Sequence, residues 1–313
     1  MDTRQGLYNM NILFDNVNLA SSSGPNNFAK KLSSQISELD DNFILTSIQE
    51  EYIDVQLSFI QTNYKMAPTA LRLDGIYFNS EQGWEELNEP IKKSYINSEA
   101  IIYQSNFNKL LTEHYFGSHP NTHVIHNGTR MDWISNIPRL DSDKLNQFAG
   151  TWCCASSWRP HKRLKDNVAY FLEHAPKDRC LVIAGPNPDY NINDPRVFYV
   201  GSLDWTTLIA LYKRSETFLH LAYLDHCPNV VVDARASGCN VVCSSAGGTH
   251  EVSGENAKII IENEWDLSPT KLYEPPPMDF SSYKINDINS DLDMISVSRK
   301  YLKVLEGIAG GDF

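Results

Sequence analysis

Two Rossmann-like α/β domains facing a cleft are the fold class this sequence predicts, and three observations predict it. Short apolar runs of β character alternate with helical stretches along the whole chain. The alternation breaks once, over MDWISNIPRLDSDKLNQFAG, where charge is mixed and apolar periodicity is lost. It then resumes as a second βα series. With 313 residues, 42% of them apolar, the chain has material for two ordinary cores.

Taken in order, NILFDNV (11–17) reads as a strand. NNFAKKLSSQISEL (26–39) reads as a helix, with Phe28, Leu32, Ile36 and Leu39 near helical spacing. NFILTSI, VQLSFIQ, TALRLDG, AIIYQS and THVIHNG follow as strands, with NFNKLLTEHYF as a helix between the last two. AIIYQS and THVIHNG end in polar residues, as strands of a parallel sheet often do. The first domain is therefore placed at 1–148. The second, 149–290, opens with GTWCCASS and continues through DNVAYFLEHA (helix), RCLVIAG and VFYVGS (strands), WTTLIALYKRS (helix) and TFLHLAY (strand). PNVVVDARASG contains three valines and invites a strand assignment. Its proline at the start and glycine at the end favour a helix. CNVVCSS and AKIII are further strands, EPPPM is a spacer, and 291–313 is a terminal helix with a glycine stop.

Net charge is −12. Residues 1–148 hold 11 Lys and Arg against 18 Asp and Glu, or −7, and the remainder holds −5. Neither half offers a basic surface, which argues against nucleic acid as a partner without removing modified DNA from the candidate acceptors. No run of 18 apolar residues is long enough to span a membrane, and the start has no secretory pattern. The six cysteines lie in or beside apolar runs without a CxxC pair, so buried free thiols and a cytoplasmic location are expected. No His, Cys, Asp or Glu group has metal-ligand spacing, and neither a metal nor a cofactor is expected.

Five stretches carry candidate chemistry. In YLDHCPNVVVDARASG, Asp225 follows a strand and Asp233 lies inside the next helix. Carboxylates there suit sugar hydroxyls; the alternative is a loop cap and a solvated helix residue. SSAGGTHEV puts Gly247, Gly248 and Thr249 in a βα turn, where backbone approaches a ligand closely. WRPHKRL concentrates Arg159, Lys162 and Arg163 at a strand end, a cationic setting for a departing diphosphate. SSSGPNNF places Gly24 after the first strand, though without the spacing of a dinucleotide fingerprint. HNGTR places Asn127 in a turn at the end of the first domain.

In this order the five motifs resemble those of the retaining glycosyltransferases of family 4, which have the GT-B fold. The resemblance covers nearly the whole chain and is most specific in the second half. It implies that the terminal helix packs back on the first domain. It also implies transfer of a sugar from a nucleoside-diphosphate sugar to a hydroxyl acceptor, a saccharide or lipid-linked saccharide, with weak peripheral membrane contact left open. Asp225 would hold donor sugar hydroxyls, and Asp233 the ribose. Gly247, Gly248 and Thr249 would flank the diphosphate or the sugar, with Gly24 and Asn127 on the same donor. Lys162, with Arg159 or Arg163, would stabilise the leaving group. Three departures stand out: both acids are aspartate where the family has glutamate, Ser156 and Ser157 replace a Gly-Arg pair, and Asp74 of RLDG takes the place of a histidine. A non-catalytic nucleotide-sugar-binding protein and a GT-B epimerase are the competing readings.

Overall fold

The computed structural model describes residues 10–21, 23–39, 43–46 and 52–311. Six parallel strands form the first sheet: β1 (Asn11–Asp15), β2 (Phe43–Leu45), β3 (Val55–Phe59), β4 (Thr69–Leu73), β5 (Ala100–Tyr103) and β6 (Thr122–Val124). Their spatial order is β2-β1-β3-β4-β5-β6. Its helices are α1 (Gly24–Leu39), α2 (Trp84–Ile96) and α3 (Asn106–Phe116). The strands β3, β4 and β5 are buried at every position, as a sheet covered on both faces requires. Helix α2 carries no strong sequence signal, because Pro90 lies inside it and only Asn88, Ile91, Ser94 and Tyr95 are buried. Proline removes a helical N–H, so the packing of Ile91 and Tyr95 holds this helix against propensity.

Two short helices, α4 (Met131–Asn136) and α5 (Asp143–Asn146), lead into the second sheet. Its elements are β7 (Gly150–Ala155), α6 (Leu164–His174), β8 (Arg179–Ala184), β9 (Val197–Gly201), α7 (Trp205–Arg214), β10 (Thr217–His220) and α8 (Asn229–Ala236). The series continues with β11 (Asn240–Ser244), α9 (Thr249–Val252), β12 (Lys258–Ile260) and β13 (Tyr283–Ile285). The order is β13-β12-β11-β10-β7-β8-β9, parallel except for β13 against β12. The valine run of α8 is helical because Val231, Val232 and Ala234 enter the core and Gly238, at φ +97°, ends the helix. All six cysteines are buried and none forms a disulfide.

The expected boundary at 148 moves. Residues 131–148 pack with the second core: Ile134 and Leu145 are buried in it, and Trp133 stacks on Trp205 at 4.0 Å. Lys213 Nζ donates to the carbonyl oxygens of Ile134, Ser135 and Ile137. Low periodicity marked this stretch as a linker, but its few apolar side chains find one wall. The terminal helix α10 (Met294–Gly310) leaves the second sheet and crosses to the first, where Val297, Tyr301 and Leu305 join Phe28, Leu32 and Leu57 in one core.

Arg72, at the end of β4, secures this return. Its fully buried guanidinium donates to Tyr301 Oη (3.0 Å) and Asn127 Oδ1 (2.7 Å), pairs with Asp74, and lies 4.1 Å from the Phe28 ring centroid. Breaking a buried pair by removing one partner strands the other charge, at a cost of about 3–5 kcal/mol. Arg72→Met should therefore lose stability on that order in urea unfolding. A loss no larger than that of a surface substitution would refute the role.

Candidate functional site

The parallel strands of both sheets end at the cleft, as the fold demands of a ligand site. Loops after β7, β8 and β9, with the start of α8, enclose a cavity of about 550 Å³. Ser157, Gly185, Trp205 and Asp233 line its second-domain wall, and Lys31 of α1 lines the other. Asp233 is buried, with both oxygens engaged. Oδ1 lies 2.8 Å from Lys31 Nζ, and Oδ2 accepts from Trp205 Nε1 at 3.0 Å. Lys31 is only 8% exposed and stands 4.9 Å above the Trp205 ring. The pair offsets the desolvation of its two charges and fixes the carboxylate's orientation. It also crosses the cleft. Neither Lys31 nor Trp205 was legible as a site residue, since each reads as an ordinary helix position until the two domains meet.

Asp225 anchors a second cluster. Its Oδ2 contacts Lys162 Nζ (2.5 Å) and His220 Nε2 (2.9 Å), and Oδ1 accepts from the His226 amide (3.0 Å). Burial pushes this carboxyl up, but Lys162 and His220 together hold it well below the usual carboxylate range. Burial drives the neighbouring imidazoles down, His161 to about 3 and His226 to about 4, so both are neutral at pH 7. A smaller cavity of about 140 Å³ lies here between Asp225, His161 and His226 and the first-domain stretch Ile76–Asn79. Arg159 is exposed one turn before Lys162.

Gly247 and Gly248 serve the backbone of this cluster. Gly247 has φ +91°, and a Cβ there would lie 2.5 Å from the Asp225 carbonyl oxygen. Gly248 donates its N–H to that same oxygen at 2.7 Å, and its own Cβ would overlap the His226 carbonyl. The glycine pair thus lets the 245–249 turn press against the Asp225 loop. Thr249 is buried, its hydroxyl without a partner among the described residues.

Asp74 and Gly75 meet this cluster from the first domain through Gly75. Gly75 lies directly against His226, and Asp74 Oδ2 is buried without a partner among the described residues. Arg163 is placed differently from its expected role. It has a left-handed backbone (φ +53°) and a side chain 0% exposed, bonded to both Glu262 oxygens (2.8 and 2.7 Å) and the Pro276 carbonyl (2.8 Å). It braces the end of the second sheet and does not face the donor cavity. Asn127 is likewise committed. Arg72 occupies its oxygen, and its Nδ2 donates to Cys227 O (2.8 Å) and Gln104 Oε1 (3.1 Å), which ties the domains together. Gly24 starts α1 and accepts from Asn229 Nδ2 (3.1 Å) at the start of α8.

Glu251 closes the GG-x-x-E run and has a role its spacing did not announce. It accepts from the backbone amides of Asn106 (2.7 Å) and Phe107 (2.9 Å) and lies 3.0 Å from His126 Nε2. A second-domain carboxylate therefore caps the N-terminus of first-domain helix α3. Burial raises its pKa, but His126 and those amides bring it below the ordinary value.

Residues 160–268, about a third of the chain, match the family model "Glycosyl transferases group 1". The chain carries a glycosyltransferase domain. This segment holds Lys162, Asp225, Asp233 and the glycine turn. No curated protein matches. Among solved structures, the chain is similar to the Anabaena protein HepE, solved with UDP-glucose, at 13% identity and TM-score 0.65, covering 95% of this chain and 100% of that one. Sucrose-phosphate synthase from Thermosynechococcus elongatus superposes at 12% identity and TM-score 0.60, with 96% of each chain covered. A glycosyltransferase from Rickettsia africae matches at 13% identity and TM-score 0.59, covering 96% and 99%. At such identities these likenesses establish the fold, GT-B. Together with the domain match, the enzyme class is that of a glycosyl-transferring enzyme. Among the described residues no helix is long and apolar enough to cross a membrane.

The buried imidazoles make this cleft acid-sensitive. A histidine with a lowered folded pKa contributes stability that is complete above about pH 6.5 and is lost as pH falls, because the unfolded chain takes up the proton first. For His226 the window runs from about pH 6.5 to about 4. Each such proton adds about 1.4 kcal/mol per pH unit to the slope. Urea unfolding at pH 7, 6 and 5 should show that slope, and His226→Gln should remove one proton's share of it. An unchanged slope in the variant would show that His226 is not buried neutral.

Proposed function

We propose that this glycosyltransferase domain acts on a nucleoside-diphosphate sugar and retains anomeric configuration, with a saccharide or lipid-linked saccharide hydroxyl as acceptor. The observation that carries the reading is the pair of aspartates: one beside a 550 Å³ cavity at the strand ends, the other ion-paired to a lysine facing the first domain. In this reading, base and ribose occupy the cavity and the ribose diol donates to Asp233, whose orientation Lys31 and Trp205 hold. Asp225 and the unpartnered Asp74 Oδ2 accept hydroxyls of the donor sugar. HepE, of the same fold, is solved with UDP-glucose, which makes a uridine sugar the first donor to test.

Transfer breaks the bond from the anomeric carbon to the diphosphate oxygen and forms one to the acceptor oxygen. Negative charge grows on the leaving phosphate, and Lys162 with Arg159 stabilises it where it develops. The acceptor's proton passes to a leaving-phosphate oxygen. Attack on the face the diphosphate leaves is favoured here over a covalent sugar–enzyme intermediate, because both oxygens of Asp225 already accept hydrogen bonds and Asp74 is tied to Arg72. Such carboxylates are poor nucleophiles, unlike the free pair of a double-displacement glycosidase. With two cations supplied by the chain, activity should persist in excess EDTA. Complete loss, restored by a divalent cation, would contradict this.

Lys162→Ala should lower turnover roughly 10²–10³-fold, as loss of an oxyanion donor does. Unchanged turnover with an intact circular dichroism spectrum would remove Lys162 from the mechanism. Calorimetry with the nucleoside diphosphate alone separates the two acids. Asp233→Asn should weaken binding about 10–100-fold through one charge-assisted contact, whereas Asp225→Asn should leave that affinity nearly unchanged while reducing transfer. Equal weakening would show that the assignment of ribose to one acid and sugar to the other is wrong. Donor hydrolysis without acceptor distinguishes a transferase from a mere binder.

A further inference from the structure

A second cavity, of about 700 Å³, opens at the carboxyl ends of β1 and β2, against the loop that follows β3. It lies beside the donor cavity across the first turn of α1, since Asn26 lines this cavity and Asn27 lines the other. Its central group is Asp15, the last residue of β1. Asp15 Oδ2 accepts from Ser58 Oγ (3.1 Å), Gln56 Nε2 (3.3 Å) and the Asn63 amide (2.8 Å). Three donors from two segments fix its direction. Among the described residues, Oδ1 has no partner.

Around it stand the amides of Asn18, Asn26 and Asn63 and the ring of Tyr64, which is 70% exposed. Among the described residues that line the cavity, none is Lys, Arg or His. The donor cavity differs, with Lys30 and Lys31 on its wall. A carboxylate as the sole charge among the described lining residues, inside a half with net charge −7, repels phosphate and carboxylate groups. A fixed carboxylate oxygen suits a diol, and an exposed phenol ring suits the C–H face of a pyranose. The register Asp15–Ser58–Leu71 sets Asp15 two strand spacings, about 10 Å, from Leu71, three residues before Asp74. The cavity therefore opens on the same carboxyl-end edge of the sheet as Asp74, beside the donor cavity.

We propose that this cavity seats the acceptor as a neutral saccharide, with Asp15 on a diol and Tyr64 under a ring face, and that phosphorylated and carboxylated sugars are excluded from it. The proposal rests on the transferase reading for the word acceptor. Its binding test does not.

Saturation-transfer NMR on the full chain, without donor, compares methyl hexopyranosides with the matching hexose 6-phosphates and hexuronates. At least one methyl hexopyranoside should bind about tenfold or more tightly than its anionic counterparts. Asp15→Asn and Tyr64→Ala should each weaken it about tenfold, and Asp15→Asn should also narrow the gap between neutral and anionic sugars. Anionic sugars binding as well as neutral ones, no glycoside binding, or indifference to both substitutions overturns the proposal. In a second arm, the bound glycoside should raise nucleoside diphosphate release from a hydrolysed nucleotide sugar above background. Release that stays at background despite glycoside binding overturns the acceptor assignment. If no nucleotide sugar binds or is hydrolysed at all, the transferase reading fails instead, and the NMR arm still decides the neutral-saccharide claim.

Discussion

The buried guanidinium of Arg72 is the constraint on which the rest of the cleft depends. A charge so placed needs partners on every side, and each partner belongs to a different part of the molecule. Tyr301 brings the terminal helix, Asp74 the end of β4, and Asn127 the turn that in turn holds the second-domain carbonyl of Cys227. One cation thus joins a core helix, a candidate catalytic carboxylate and the interdomain contact. Asp74 is held by that charge, next to the Gly75 that lies against His226.

The second domain meets this arrangement with two carboxylates that also cross the cleft. Glu251 caps α3, and Asp233 pairs with Lys31. Both contacts exist only when the domains are together, so the charges that favour closure sit at the site itself. The glycine turn at 247–248 belongs to the same economy of space: it allows the Asp225 loop to be approached from behind, while Lys162 and His220 hold the Asp225 side chain in front. The site is consequently built from fixed, ionised and neutral groups whose states at pH 7 are set by burial and pairing.

Local rules account for what residue order alone makes readable. Strand and helix alternation, the break near residue 131, the helical reading of the valine run before Gly238, and the acids, cation cluster and glycine turn at strand ends were all legible. Each depends on periodicity, on proline and glycine punctuation, or on residue order. Which polar groups meet was set by the packing of the folded chain. Lys162 and Arg163 are adjacent in sequence, yet a left-handed backbone at Arg163 sends one to Asp225 and the other to Glu262. Asn127 became an interdomain tie, Glu251 a cap for a helix some 145 residues away, and Lys31 and Trp205 the partners of Asp233. Helix α2 and the docking of residues 131–148 were likewise settled by burial against surfaces distant in sequence. Pairings of this kind depend on distance in space and on the cost of leaving a buried charge alone, and neither is written in the order of the residues.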